Sequence, residues 1–272
     1  MVRMAGVALG CMALCTASCF ADTVLGTTSN GLLYSIIPAT GQEALVGTLR
    51  SSGSSAAIPM YDIAANGNSV YSIDLNGTLY SVNPNTAQTT RIGVNPGLFI
   101  NALTFGNGVL YGAGRDSLYT INTNTGLATL VGNGTANGGT AYNSSGDVSF
   151  INGKLYLTSF NGNGTNDSFF TIDPATGKGT EIDTLSFGTV FALAYSSSDQ
   201  TLYGFTDPST NVTGSGQVLI INPNTGVATA HTSYVVPFFG ATEFNEVPEP
   251  ATIGLMLVGL GAFLVVLARR RA

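Results

Sequence analysis

Few side chains in this sequence are equipped for chemistry. There is one histidine, His231, and the three cysteines, Cys11, Cys15 and Cys19, all lie within the first nineteen residues. A Ser–His–Asp relay would depend on that single imidazole, and no G-x-S-x-G stretch is present to hold a nucleophile. Histidine-based metal centres need several such ligands, so the same count excludes them. Carboxylates remain. Asp62 and Asp147 precede "IAA" and "VSF" at equivalent places in a repeat, Asn101 stands near the same level, and two further copies place Ala192 and Ala241 there. Two acids at a channel mouth would hold a cation or a water network, or act as the acid and base of a glycosidase. "NGNGTND", ending at Asp167, crowds amide and carboxylate oxygens, which makes Asp167 a further candidate calcium ligand. Its spacing departs from the EF-hand loop, and a flexible Asn/Gly loop is the simpler account.

The elements that must position these residues follow from an internal repeat. "LYSIIPATGQEALVG" begins at Leu33, "LYSVNPNTAQTTRIG" at Leu79, "LYTINTNTGLATLVG" at Leu118, "FFTIDPATGKGTEID" at Phe169 and "VLIINPNTGVATAHT" at Val218. Each is two alternating β-rich runs around a turn. Gly41, Gly126, Gly177 and Gly226 share one turn position that calls for positive φ; Ala87 replaces glycine once, so that turn is expected to be shaped differently. A second strand phrase ("SVYSID", "VLYGAG", "KLYLTS", "TLYGFT") and a short apolar run precede most copies. Four strands in about 45 residues is propeller-blade arithmetic, with an open β-solenoid as the alternative. The first unit has material for three strands only, and "FGATEFN", from Phe239, supplies a fourth. The expected fold is therefore all-β: a five-bladed propeller over residues 22–246, closed by strands from both termini, which hides its edges. Tyr34, Tyr80 and Tyr119, and Tyr71, Tyr111, Tyr156 and Tyr203, recur with the blade period and are expected to pack between sheets.

The two ends are of another kind. Residues 1–21 pair Arg3 with an apolar run and small residues before a cleavage point after Ala21, the pattern of a secretory signal; a lipoprotein site at Cys19 is an alternative. Residues 251–268 carry no charge and no proline, and at about 1.5 Å per residue they reach roughly 27 Å, enough for a transmembrane helix. Arg269, Arg270 and Arg271 form a basic stop that places everything before Ala251 outside the cytoplasm. Val247, Pro248, Glu249 and Pro250 precede the apolar run. In that order the three parts, residues 247–272, resemble the PEP-CTERM sorting tail of exported bacterial proteins, a tail also labelled an ice-binding protein C-terminal domain. The resemblance implies processing by an exosortase-type enzyme at the inner membrane, then residence at the cell surface or in the extracellular matrix, commonly alongside exopolysaccharide and biofilm. The blade phrases also resemble, more loosely, secreted quinoprotein propellers. The chain has no tryptophan, so that likeness extends to the fold and not to a cofactor.

A net charge of −6, with four of the nine basic residues in the two terminal segments, excludes a nucleic-acid footprint. Three function classes remain: a binding module for exopolysaccharide or protein, an extracellular carbohydrate-active hydrolase or lyase with its site in the channel, and a structural coat protein without ligand. No convincing catalytic set is present and no cofactor is expected. The long loops 132–147, 160–167 and 206–217 fall on one rim. There Tyr142 and Phe160, aromatics outside the repeat pattern, are the expected sugar-stacking residues.

Overall fold

A computed structural model describes residues 23–95, 97–162, 165–210 and 214–244. The expected signal at 1–21 and the expected tail at 247–272, with its helix at 251–268, lie outside them. Among the described residues no helix is long and apolar enough to cross a membrane.

The chain begins with β1 (Val24–Thr27), β2 (Leu32–Ile37), β3 (Gln42–Thr48) and the two-residue β4 (Arg50–Ser51). It continues through β5 (Met60–Asn66), β6 (Ser69–Asp74), β7 (Thr78–Val82) and β8 (Gln88–Val94). Then come β9 (Ala102–Gly106), β10 (Val109–Gly114), β11 (Ser117–Ile121) and β12 (Ala128–Asn133). The next four are β13 (Ser144–Ile151), β14 (Lys154–Phe160), β15 (Asp167–Ile172) and β16 (Gly179–Thr184). β17 (Val190–Ser196), β18 (Thr201–Thr206), β19 (Gly216–Ile221), β20 (Ala228–Tyr234) and β21 (Gly240–Glu243) are the last strands among the described residues. These form five sheets, antiparallel throughout except where β4 joins one of them. Blade I is β21-β1-β2-β3, blade II is β5 to β8, blade III β9 to β12, blade IV β13 to β16 and blade V β17 to β20. The closing strand pairs where expected, Val24 opposite Glu243 and Thr27 opposite Gly240. One strand was not anticipated: β4 adds to the outer edge of blade II in parallel, Arg50 opposite Gln88.

The ring is closed by packing at all five seams. Each hydrophobic core lies between two neighbouring blades: Leu33 with Ile63, Ile73 with Leu103, Leu118 with Leu155, Phe169 with Leu193, and Phe205 with Val24. At about 1.5–3 kcal/mol per buried Leu, Ile or Phe, the seams dominate cohesion. The recurrent tyrosines lie in them, as Tyr71 against Phe105 and Tyr111 stacked on Phe150 show.

The repeated turn and the glycine that ends each "VG" strand meet across the seams. Asn83 and Asn122 each accept two backbone N–H groups through Oδ1, closing the turn. Gly126 has φ +73° and packs on Gly93 of blade II, where a Cβ would come within 2.7 Å of the Gly93 Cα. Gly177 meets Gly132 of blade III in the same way. The expectation of a different turn at Ala87 is not met: Ala87 has φ +56°, with the same Asn83 bonds. Holding a non-glycine residue there costs about 1–2 kcal/mol, offset by burial of its methyl group in the blade I–II core.

Candidate functional site

An inner strand has a ladder partner on one side only, so alternate backbone N–H groups point at the propeller axis and need acceptors. The five inner strands are β5, β9, β13, β17 and β21. At one level they place Asp62, Ala102, Asp147, Ala192 and Gly240. The sequence reading is corrected in two blades: Ala102 stands where Asn101 was expected, and Gly240 where Ala241 was. Asn101 lies one step off and donates through Nδ2 to the Ser144 carbonyl at 3.1 Å.

Two carboxyl groups satisfy all five axial amides of the next level, one from each blade. Asp62 accepts from its neighbour Ile63 at 2.6 Å and from Leu103 of blade III. Asp147 accepts from Val148 at 2.6 Å, from Leu193 of blade V at 2.7 Å and from Ala241 of blade I at 2.9 Å. The two carboxyls also hydrogen-bond each other. Burial and the adjacent Asp147 charge push Asp62 well above the usual carboxylate range. Burial raises Asp147 too, opposed by Leu193, Ala241, Asp62 and Val148. Both acids are thus pushed toward the protonated form, and as neighbours in contact they titrate as a pair. The small residues at the other three positions make room. A Cβ on Gly240 would overlap the Asp62 carboxyl.

This chemistry is directed inward. Asp62 and Asp147 are both 0% exposed. Their oxygens are engaged by amides and by each other, an arrangement that fits neither a calcium ion nor a substrate bond between them. Asp167 is not part of the pair. It is buried on β15, accepts from Val190 N at 2.8 Å and so ties blade IV to blade V; burial pushes it up to about 6. Among the described residues no three His, Cys, Asp or Glu side chains are grouped to hold a metal. His231 lies on an outer strand, exposed.

On the loop-rich rim the two expected stacking residues part company. Tyr142 is 3% exposed, with its ring edge-on to Phe170 in the blade III–IV core, so it offers no face to a ligand. The long segment that carries it is a seam filler: Tyr142 N donates to Asp116 Oδ1 at 3.0 Å, and Thr140 N to the Gly179 carbonyl at 2.9 Å. Phe160 is exposed at the end of β14. At the opposite end, above the carboxyl layer, the axis opens as a cavity of about 280 Å³. Its lining includes Thr104, Phe105, Ser149, Phe150, Tyr195 and Glu243. Sequence reasoning missed it because it looked for variation in loop length. The signal was variation within the inner strands.

Fold and axis together define a closed five-bladed β-propeller followed by a separate C-terminal segment. That segment carries the PEP-CTERM protein-sorting motif, matched over residues 246–271. The motif implies an exported protein sorted at the membrane by exosortase. No curated protein matches the chain. Among solved structures, a chain of the nidogen/laminin complex is similar at 9% identity, with a TM-score of 0.53 over 82% of this chain and 98% of that one. A chain of the Kuenenia stuttgartiensis hydrazine synthase is similar at 15% identity and a TM-score of 0.43, over 68% of this chain and 52% of that one. At 9% identity the likeness to the nidogen/laminin chain is one of fold.

Proposed function

We propose that this protein is a surface- or matrix-associated binding module, exported and displayed through its sorting tail, whose propeller holds exopolysaccharide or a protein partner. The tail spans the inner membrane as a helix over 251–268 until an exosortase-type enzyme processes it. The sorting motif directly after a closed ring carries this reading. The ring's central acids are committed to backbone amides, which supports binding over turnover by a hydrolase or lyase.

Two measurements test it. Deleting residues 247–272 in the native host is expected to change the protein's location and mass; unchanged mass and surface retention would refute sorting. The full-length protein is expected to pull down the host's extracted exopolysaccharide or a surface protein. Failure to capture either, with retention at the surface after glycan depletion, would favour a ligand-free coat protein.

A further inference from the structure

At the end of the axis opposite the long loops, the inner strands bring one residue each to a common level: Ala65, Phe105, Phe150, Tyr195 and Glu243. Three blades supply an aromatic side chain. Blades II and I supply Ala65 and Glu243, and the cavity exists because of those two departures. A second cavity, also about 280 Å³, adjoins the first and shares Ala65, Phe105, Ser197 and Glu243 with it. The floor is the layer of Val148, Leu193 and Ala241, whose amides face the carboxyl pair beneath.

The polar groups of this cup are set in advance. Glu243 accepts from Ser197 N and from Ser197 Oγ, both at 2.8 Å, which fixes its carboxylate between blades I and V. The Thr242 hydroxyl is held by Ala65 N at 3.1 Å. Thr104 and Ser149 add two further hydroxyls. The rings of Phe105 and Phe150 are fixed by Tyr71 and Tyr111 of the preceding blades.

We infer that this cup is a binding site for a single neutral sugar ring, the exposed end of a glycan chain. The inference rests on the binding-module reading above and deepens it. A sugar ring presents an apolar C–H face and an edge of hydroxyls, and the cup offers aromatic walls beside hydroxyl and carboxylate partners. No Lys, Arg or His lines either cavity, and Glu243 repels anions, so uronates, sulfates and phosphates are disfavoured. Each cavity stands just below the roughly 300–1,000 Å³ of ordinary small-molecule pockets, so the one above the carboxyl layer suits a single ring.

The test uses the full-length protein with neutral methyl hexosides and methyl N-acetylglucosaminide, and methyl glucuronoside as the anionic control. Binding is read by saturation-transfer NMR and calorimetry. At least one neutral glycoside is expected to bind with a Kd on the order of 1 mM, and the glucuronoside at least about tenfold more weakly. Ala65→Phe places at the open position the side chain that blades III and IV already carry there. It is expected to weaken binding at least about tenfold with an unchanged melting temperature. Should that variant misfold, Thr104→Val removes one cup hydroxyl at nearly constant volume and is expected to weaken binding about three- to tenfold. Equal binding by A65F, or by T104V where A65F misfolds, overturns the site, as does the absence of binding by every neutral glycoside. Exopolysaccharide capture separates the two readings. Capture that survives in A65F leaves the binding module standing and removes the cup; loss of capture in A65F supports both.

Discussion

Asp147→Ala is the sharpest perturbation of the axis. The substitution removes the acceptor of three inner-strand amides, Val148, Leu193 and Ala241, from three different blades. It also leaves Asp62 without its carboxyl partner. A buried donor left unpaired costs about 1–3 kcal/mol. Three of them amount to about 3–9 kcal/mol, and water entering the space vacated by the carboxyl would bring the loss toward the lower half, about 3–6 kcal/mol. At about 2–4 °C per kcal/mol for a domain of this size, the melting temperature should fall by roughly 6–24 °C. Asp147→Asn keeps one carbonyl oxygen and should fall between, at about 1–3 kcal/mol. Because the chain lacks tryptophan, the assay is urea and thermal unfolding followed by circular dichroism and tyrosine fluorescence. An Asp147→Ala protein within about 1 kcal/mol of the parent would refute the argument that the carboxyl pair binds the five blades at the axis.

Two further outcomes follow from the same geometry. Gly240→Ala should destabilise by about 1–3 kcal/mol, because the new methyl group displaces the Asp62 carboxyl from its amides; a neutral result in thermal unfolding would show that the pair has slack the structure does not display. Asp167, pushed up from 3.8 to about 6 by burial, is an acid whose folded form prefers the proton, so its contribution is fully present below pH 4 and is lost as pH rises through 6. The difference is worth up to about 3 kcal/mol, so Asp167→Asn should remove about that much of the parent's stability loss between pH 4 and pH 7. Parallel pH profiles for the two proteins in urea unfolding would count against the shift.

The blade count, the closing strand and the tyrosine seams were legible because they repeat. A feature present in every copy of a motif must serve what every copy does, which is to pack on its neighbour. The glycine contacts were only half legible. The turn glycines announced a positive φ, but nothing in one repeat says that Gly126 will press on Gly93 of the preceding blade, since that contact exists only once the sheets are stacked. Ala87 shows the limit from the other side. Its sequence predicts a different turn, yet packing in the blade I–II seam and the Asn83 bonds hold it in the glycine conformation.

The axis was least legible, for a reason rooted in the backbone. Asp62 and Asp147 read as candidate ligands or catalysts because isolated carboxylates in a sequence carry no sign of their partners. Their actual partners are peptide N–H groups of three other positions along the chain and of their own two neighbours, all invisible to any pattern of side chains. A propeller necessarily turns one edge of every blade toward its axis, where the amides find water or a fixed acceptor. Two acids among Ala102, Ala192 and Gly240 are the side-chain answer to that requirement, with small residues giving room and raised pKa values easing the repulsion between the acids. The same strands then have only their far ends left to vary. That is why Ala65 and Glu243, which break the aromatic pattern three residues beyond the carboxyl level, are where recognition by this ring is to be sought.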